Sequence, residues 1–209
     1  MEYLVSLLLG YSIGSFPTAF LILKKVKNLD ITTQGTGNVG AMNTFEVTNS
    51  KTIGILVLIL DLFKGMLPIL LLKMFSMNDF SFLAVALIAS IFSHCYNPWL
   101  KLKGGRGLAS AAGGTAIIFP FALVLWIIIW IIFYLLKKDI TIANVVASSM
   151  SLIVIVTAIS TAFIYAFPKP DSEAILVLFS LGLLLIIISK HTEPLQELFE
   201  SMKSSRGNN

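Results

Sequence analysis

The chain has 209 residues, 56% of them hydrophobic and 12% charged, with a mean hydropathy of +0.89 and a formal net charge of +4. A soluble domain carries about 25% charged residues, so this composition excludes a polar shell around a water-soluble core, and the bilayer must be part of the solvent. The basic residues gather at the ends of apolar runs rather than on one soluble face, which argues against nucleic acid as a partner, and the single cysteine, Cys95, excludes an intrachain disulfide.

The first apolar run, about Tyr3 to Leu23, begins almost at Met1 and lacks a basic leader, so it reads as a span rather than a cleavable signal. Gly10, Gly14, Ser15, Pro17 and Thr18 within it are small residues suited to close helix packing, and Ser15 is assigned a structural or accessory role. The longest interspan segment follows, from Lys24 to Lys51. It holds Gln34-Gly35-Thr36-Gly37-Asn38-Val39-Gly40-Ala41-Met42-Asn43. Glycines let the backbone approach a ligand closely, and successive N–H groups form an anion nest. Thr36, Asn38 and Asn43 add side-chain donors. The segment is neither a Walker A loop nor a dinucleotide fingerprint, because the Lys-Ser/Thr ending and a preceding strand are missing.

Span two runs from Thr52 to Phe75 and carries Asp61 and Lys64 three residues apart on one face. Charges inside a span face the bundle interior, and a mutual pair is the expected arrangement. Span three, Phe80 to Leu100, has His94 near its end. Lys101-Leu102-Lys103-Gly104-Gly105-Arg106-Gly107 then leads into a helix, a second loop suited to an anion. The stretch from Gly107 to Leu136 would span about 45 Å as one helix, too long for a 30 Å core. Pro120 is expected to divide it into spans four and five near Phe119-Pro120. Span six covers Ile140 to Phe167 and span seven Ala174 to Ser189, with His191 just beyond.

The expected fold is therefore an all-α membrane helical bundle of about seven transmembrane helices. It forms one domain over residues 1–200 with a polar tail at 201–209. Twelve of the 15 basic residues fall on one side of this topology. The positive-inside rule then places the N-terminus outside and the C-terminus in the cytoplasm.

Five of these segments, in order, resemble one family. Gly14-Ser15-Phe16-Pro17-Thr18 is similar to its first-span motif, and Gly35-Thr36-Gly37-Asn38-Val39-Gly40-Ala41-Met42-Asn43 to its Gly-Ser-Gly-Asn-x-Gly-Ala-Thr-Asn loop. Asp61-Leu62-Phe63-Lys64-Gly65 resembles Asp-x-x-Lys-Gly, and His94 with Gly104-Gly105-Arg106-Gly107 resembles a His followed by Gly-Gly-Lys-Gly. His191 falls where the last motif begins. The family is the bacterial membrane acyltransferase that acylates glycerol 3-phosphate from acyl phosphate (PlsY type).

The resemblance implies a seven-helix bundle in the bacterial inner membrane with a cytoplasmic-face site. It implies acyl transfer to a small hydroxyl acceptor, yielding lysophosphatidic acid for phospholipid synthesis without a cofactor or metal. It implies catalytic roles for His191 and Asn38, and substrate binding by Thr36, Gly37, Asn38, Gly40, Asn43, Gly104, Gly105 and Arg106. Asp61, Lys64 and His94 are expected to be structural or accessory. Several positions depart from the pattern: Thr36 for Ser, Arg106 for Lys, Met42 for Thr, Glu46 for Arg, Val146 for Ser, and Pro194 for the Asn of His-x-x-Asn. Glu46 is expected beside an anion site. These departures leave open an acyltransferase with another acceptor, or a non-catalytic membrane protein that binds lipid or a protein.

Overall fold

The computed structural model describes residues 1–192, 194–196 and 200; the polar tail expected at 201–209, with Lys203 and Arg206, lies outside the described residues. Within them the chain is helical and contains no strand. The helices are α1 (Glu2–Gly14), α2 (Thr18–Lys27), α3 (Ala41–Thr48), α4 (Lys51–Met74), α5 (Phe80–Cys95), α6 (Leu108–Ile118), α7 (Pro120–Lys137), α8 (Ile140–Thr157), α9 (Ile159–Ile164) and α10 (Glu173–Ser189).

Among the described residues, five helical segments are long and apolar enough to cross a membrane: Glu2–Lys27, Lys51–Met74, Phe80–Leu100, Pro120–Lys137 and Ile140–Thr157. α6 and α10 are shorter apolar helices. The first segment is not one helix. It breaks at Ser15–Pro17, where proline restricts the residue before it and supplies no N–H. The expected break at Phe119-Pro120 is present, with Phe119 out of helical geometry at φ −151° and ψ 63°. The Ile140–Phe167 run is also two helices, α8 and α9.

Packing follows the small residues. A Cβ at Gly10 or Gly14 would collide with the Ala86 or Ser90 carbonyl, so α1 lies directly on α5. A Cβ at Gly65 or Gly113 would meet the Ser110 or Leu62 carbonyl, which seats α4 on α6 equally closely. Paired positions rise together along α1/α5, whereas Lys64/Ser90 and Asp61/His94 run in opposite senses along α4 and α5. Indole-to-polar bonds from Trp126 to Ser148 and from Trp130 to Asn144 join α7 and α8 as an antiparallel pair.

One end of the bundle consequently gathers Lys101, Lys103, Arg106 and Lys190 with both glycine loops. α7 carries a single buried residue, Ile129, and turns Val124, Ile128, Ile131, Ile132 and Leu135 outward. Such an apolar exterior is compatible with lipid and not with water.

Candidate active site

The first glycine loop is built from beneath. Asp30 accepts from the Thr32 amide at 2.9 Å and the Thr32 hydroxyl at 2.7 Å, capping the short 3₁₀ turn Ile31–Thr33. These bonds hold the Asp30 carboxyl below its usual range. Gly37 has φ +69°, a left-handed conformation that a side chain would strain. Asn43, only 2% exposed, reaches up from α3. Its Oδ1 accepts from the Thr36 amide at 3.0 Å, and its Nδ2 donates to the Gln34 and Asn38 carbonyls at 3.0 and 2.9 Å. Asn43 therefore holds the loop's shape.

The second loop is anchored at both ends. Asn97 Nδ2 donates to the Ser15 carbonyl at 2.7 Å, and the Trp99 indole donates to the Ser15 hydroxyl at 3.3 Å. Ser15 thus ties the α1–α2 break to this loop, an accessory role in keeping with its place in the sequence. The Gly105 amide donates to the His94 carbonyl at 3.2 Å. A Cβ at Gly105 would strike His94 Nε2, so the loop rests on the imidazole.

Beneath both loops lies a buried polar cluster. Lys64 Nζ donates to Asp61 Oδ1 at 2.8 Å and to His94 Nδ1 at 3.3 Å. Asp61 also accepts from the Thr18 hydroxyl at 2.9 Å. The Ser90 and Ser110 hydroxyls donate to the Lys64 and Asp61 carbonyls. A buried pair needs such additional bonds to offset desolvation. The cluster locks α2, α4, α5 and α6 together under the glycines. Asp61 and Lys64 do pair inside the span, and His94 serves as a floor for the second loop.

The two loops meet where the Val39 amide donates to the Gly104 carbonyl at 3.1 Å. Between them opens a cleft of about 420 Å³, lined by Thr36, Gly37, Asn38, Gly104 and Arg106 among the sequence candidates, and also by Lys101, Lys103, Lys190 and Pro194. Gly40, Asn43 and Gly105 support the lining without belonging to it. Glu46 is exposed on α3 and is not a lining residue. The α3 register turns Glu46, the carboxylate expected beside the anion site, to solvent. Asn38 Oδ1 is buried without a hydrogen-bond partner among the described residues.

His191 is fully buried behind Arg106 and Lys190. Its Nδ1 lies 2.8 Å from the Ile187 carbonyl, and its Nε2 lies 3.4 Å from Asn144 Nδ2. Burial is the main cause holding its pKa below 6.5; the Ile187 bond raises it and Arg106 lowers it.

On the other side of Ile187, an apolar slot runs between α6, α7, α8 and α10, from Leu108 and Ile187 down to Phe119 and Phe179. The sequence reading missed Asn144, Trp130 and Lys190 as site residues. An amide inside a span was the available signal for Asn144; Lys190 was visible only as a topology charge.

A family model described as Glycerol-3-phosphate acyltransferase matches residues 4–201. A glycerol-3-phosphate acyltransferase of Helicobacter acinonychis is 35% identical over 154 residues, 71% of this chain and 70% of that one. The Campylobacter lari glycerol-3-phosphate acyltransferase is 31% identical over 197 residues, 91% of this chain and 92% of its own length. The crystal structure of PlsY (YgiH), an integral membrane glycerol 3-phosphate acyltransferase in its glycerol 3-phosphate form, is similar with a TM-score of 0.78 at 26% identity. That likeness covers 96% of this chain and 94% of the solved one.

Proposed function

The chain belongs to the glycerol-3-phosphate acyltransferase family, and from that premise we propose that it transfers a fatty acyl group from acyl phosphate to glycerol 3-phosphate, giving lysophosphatidic acid. One observation carries the assignment of the site. A cleft bearing Lys101, Lys103, Arg106 and Lys190 and an apolar slot that starts at Leu108 and Ile187 draw their lining from adjacent positions of the same two segments. Both substrates carry a phosphate, and one carries a long chain. Cations and glycine-loop amides suit the phosphates. The slot suits the chain, since apolar burial contributes about 0.8 kcal/mol per CH₂.

The acceptor hydroxyl oxygen attacks the acyl carbonyl carbon. The bond from that carbon to the phosphate oxygen breaks, and inorganic phosphate leaves with the electron pair. The hydroxyl proton leaves with the departing phosphate. Arg106 and the Gly37–Asn38 backbone stabilise the charge that grows on the leaving phosphate.

The chain is placed in the bacterial inner membrane as one catalytic domain over residues 1–200. Seven membrane helices, with α6 and α10 as the short members, put the basic end in the cytoplasm. This orientation is supported by the positive-inside rule.

The test uses purified protein in a lipid mesophase given palmitoyl phosphate with and without glycerol 3-phosphate. Phosphate release that requires glycerol 3-phosphate, together with lysophosphatidic acid by mass, is the expected result. Donor binding without acceptor-dependent release would point to another acceptor, and no donor binding would remove the catalytic reading. A reporter fused after Asn209 is expected on the cytoplasmic side; a periplasmic signal would overturn the orientation.

A further inference from the structure

Lys190 is held at the cleft differently from the other lysines that line it. It follows the last turn of α10, its amide donating to the Ile187 carbonyl at 3.2 Å. Its Nζ lies 4.6 Å from the centroid of the Tyr96 ring. Lys103 is held instead by the Thr32 carbonyl at 3.4 Å. The other lysine–ring approaches among the described residues are longer, 5.6 to 5.8 Å, and are made by Lys138 and Lys169, neither of which lines the cleft. No carboxylate among the described residues pairs with Lys190.

The ring is itself fixed. Ser189 Oγ donates to the Ile186 carbonyl at 2.7 Å, which commits its proton. The Tyr96 hydroxyl, 2.7 Å from Ser189 Oγ, is therefore the donor in that bond. Phe92, one turn earlier on α5, packs against the Tyr96 ring with centroids 5.1 Å apart. The end of α5 is thus tied to the end of α10 at the edge of the cleft. A carboxylate in the place of the ring would neutralise Lys190 and compete with an incoming anion. An aromatic face attracts the ammonium through its quadrupole and carries no net charge. The attraction grows as water is excluded, and Tyr96 and Lys190 are both half-buried. Lys190 is oriented while its full charge stays available.

We propose that Tyr96 is a positioning residue that holds the Lys190 ammonium at the cleft wall, where it meets the phosphate of a bound substrate. The inference rests on the proposed reaction, in which donor and acceptor each bring a terminal phosphate, and the test separates the two.

The decisive comparison is between Tyr96→Phe and the same position filled by a phenylalanine trifluorinated on its ring. Both lack the hydroxyl and have nearly the same shape, so folding does not separate them. Fluorine withdraws electron density from the face that Lys190 meets. Relative to Tyr96→Phe, the fluorinated protein is expected to show KM for one phosphate substrate raised about three- to tenfold, with kcat changed less. A rise for palmitoyl phosphate places the ammonium on the donor phosphate, and a rise for glycerol 3-phosphate places it on the acceptor phosphate. Lys190→Gln should raise the same KM, and in that background fluorination should add nothing, the non-additivity of two groups acting as one.

Equal KM values for both substrates in the two ring variants would overturn the inference. A fluorine effect undiminished in Lys190→Gln would do the same, since it would mean that the ring acts through packing alone. If the native chain forms no lysophosphatidic acid, the reaction assignment fails. Calorimetric affinity for inorganic phosphate, expected to be weaker in the fluorinated protein than in Tyr96→Phe, then still decides the role of Tyr96.

Discussion

The Val39 amide donates to the Gly104 carbonyl across 3.1 Å, and this bond joins two loops that lie 65 residues apart in the chain. It brings Gly37 and Asn38 to one wall of the cleft and Arg106 to another. Neither loop alone makes the site. The joined pair supplies backbone amides, a guanidinium and two lysines around one volume, and Lys190 adds a third from the end of α10.

Arg106→Ala is expected to abolish acceptor-dependent phosphate release, and Arg106→Lys to retain part of it. Lysine keeps the charge but loses the planar, bidentate fork. Native turnover by Arg106→Ala would remove Arg106 from the phosphate site.

Asn43→Ala removes three hydrogen bonds that shape the first loop. At about 0.5–1.5 kcal/mol each, the loss is roughly 1.5–4.5 kcal/mol, largely local to the loop. KM for palmitoyl phosphate should rise several-fold, with a modest fall in thermal midpoint. An unchanged KM would mean that the loop holds its shape without the amide.

Lys64→Met leaves Asp61 as a buried charge without its cation, a change that costs about 3–5 kcal/mol. The double variant Asp61→Asn with Lys64→Met should recover much of that stability. Gly105→Ala should be damaging because its Cβ strikes His94. Gly40→Ala, whose Cβ would lie 3.3 Å from Asn38 Oδ1, should be milder. Thermal unfolding in detergent ranks these variants, and equal midpoints for Gly105→Ala and Gly40→Ala would contradict the placement of His94.

The folded pKa of His191 lies below its unfolded value near 6.5. The unfolded chain therefore binds the extra proton first as pH falls. The stability associated with neutral His191 is complete above about 6.5 and is lost as pH drops toward the lower folded value. Native protein should lose more thermal stability between pH 8 and pH 5.5 than His191→Gln does. Parallel slopes would show that His191 does not titrate with a depressed pKa.

Glu46→Gln should change KM for glycerol 3-phosphate by less than about twofold, in line with the small effect of an exposed charge outside the cleft. A large improvement would place the carboxylate near the acceptor after all.

The sequence by itself determined the solvent, the helical class and the location of the two glycine loops, because these are local properties. Apolar runs of about 20 residues require lipid, Pro120 breaks the helix wherever its neighbours pack, and Gly37 or Gly104 allows a tight backbone in any context. The five ordered motifs from Gly14 to His191 carried the family. Only the tertiary structure decided what each polar group faces. Asn43 and Asn38 stand five residues apart and are equally polar in the sequence, yet α3 carries Asn43 under the loop while Asn38 lines the cleft. Glu46 looked close to an anion because sequence neighbours are near in chain length, but the turn of α3 directs it to solvent. Asn144 reaches His191, 47 positions further along the chain, through the packing of α8 against α10. That pairing, like the orientation imposed by Trp130, depends on helix rotation and depth, which no local pattern encodes.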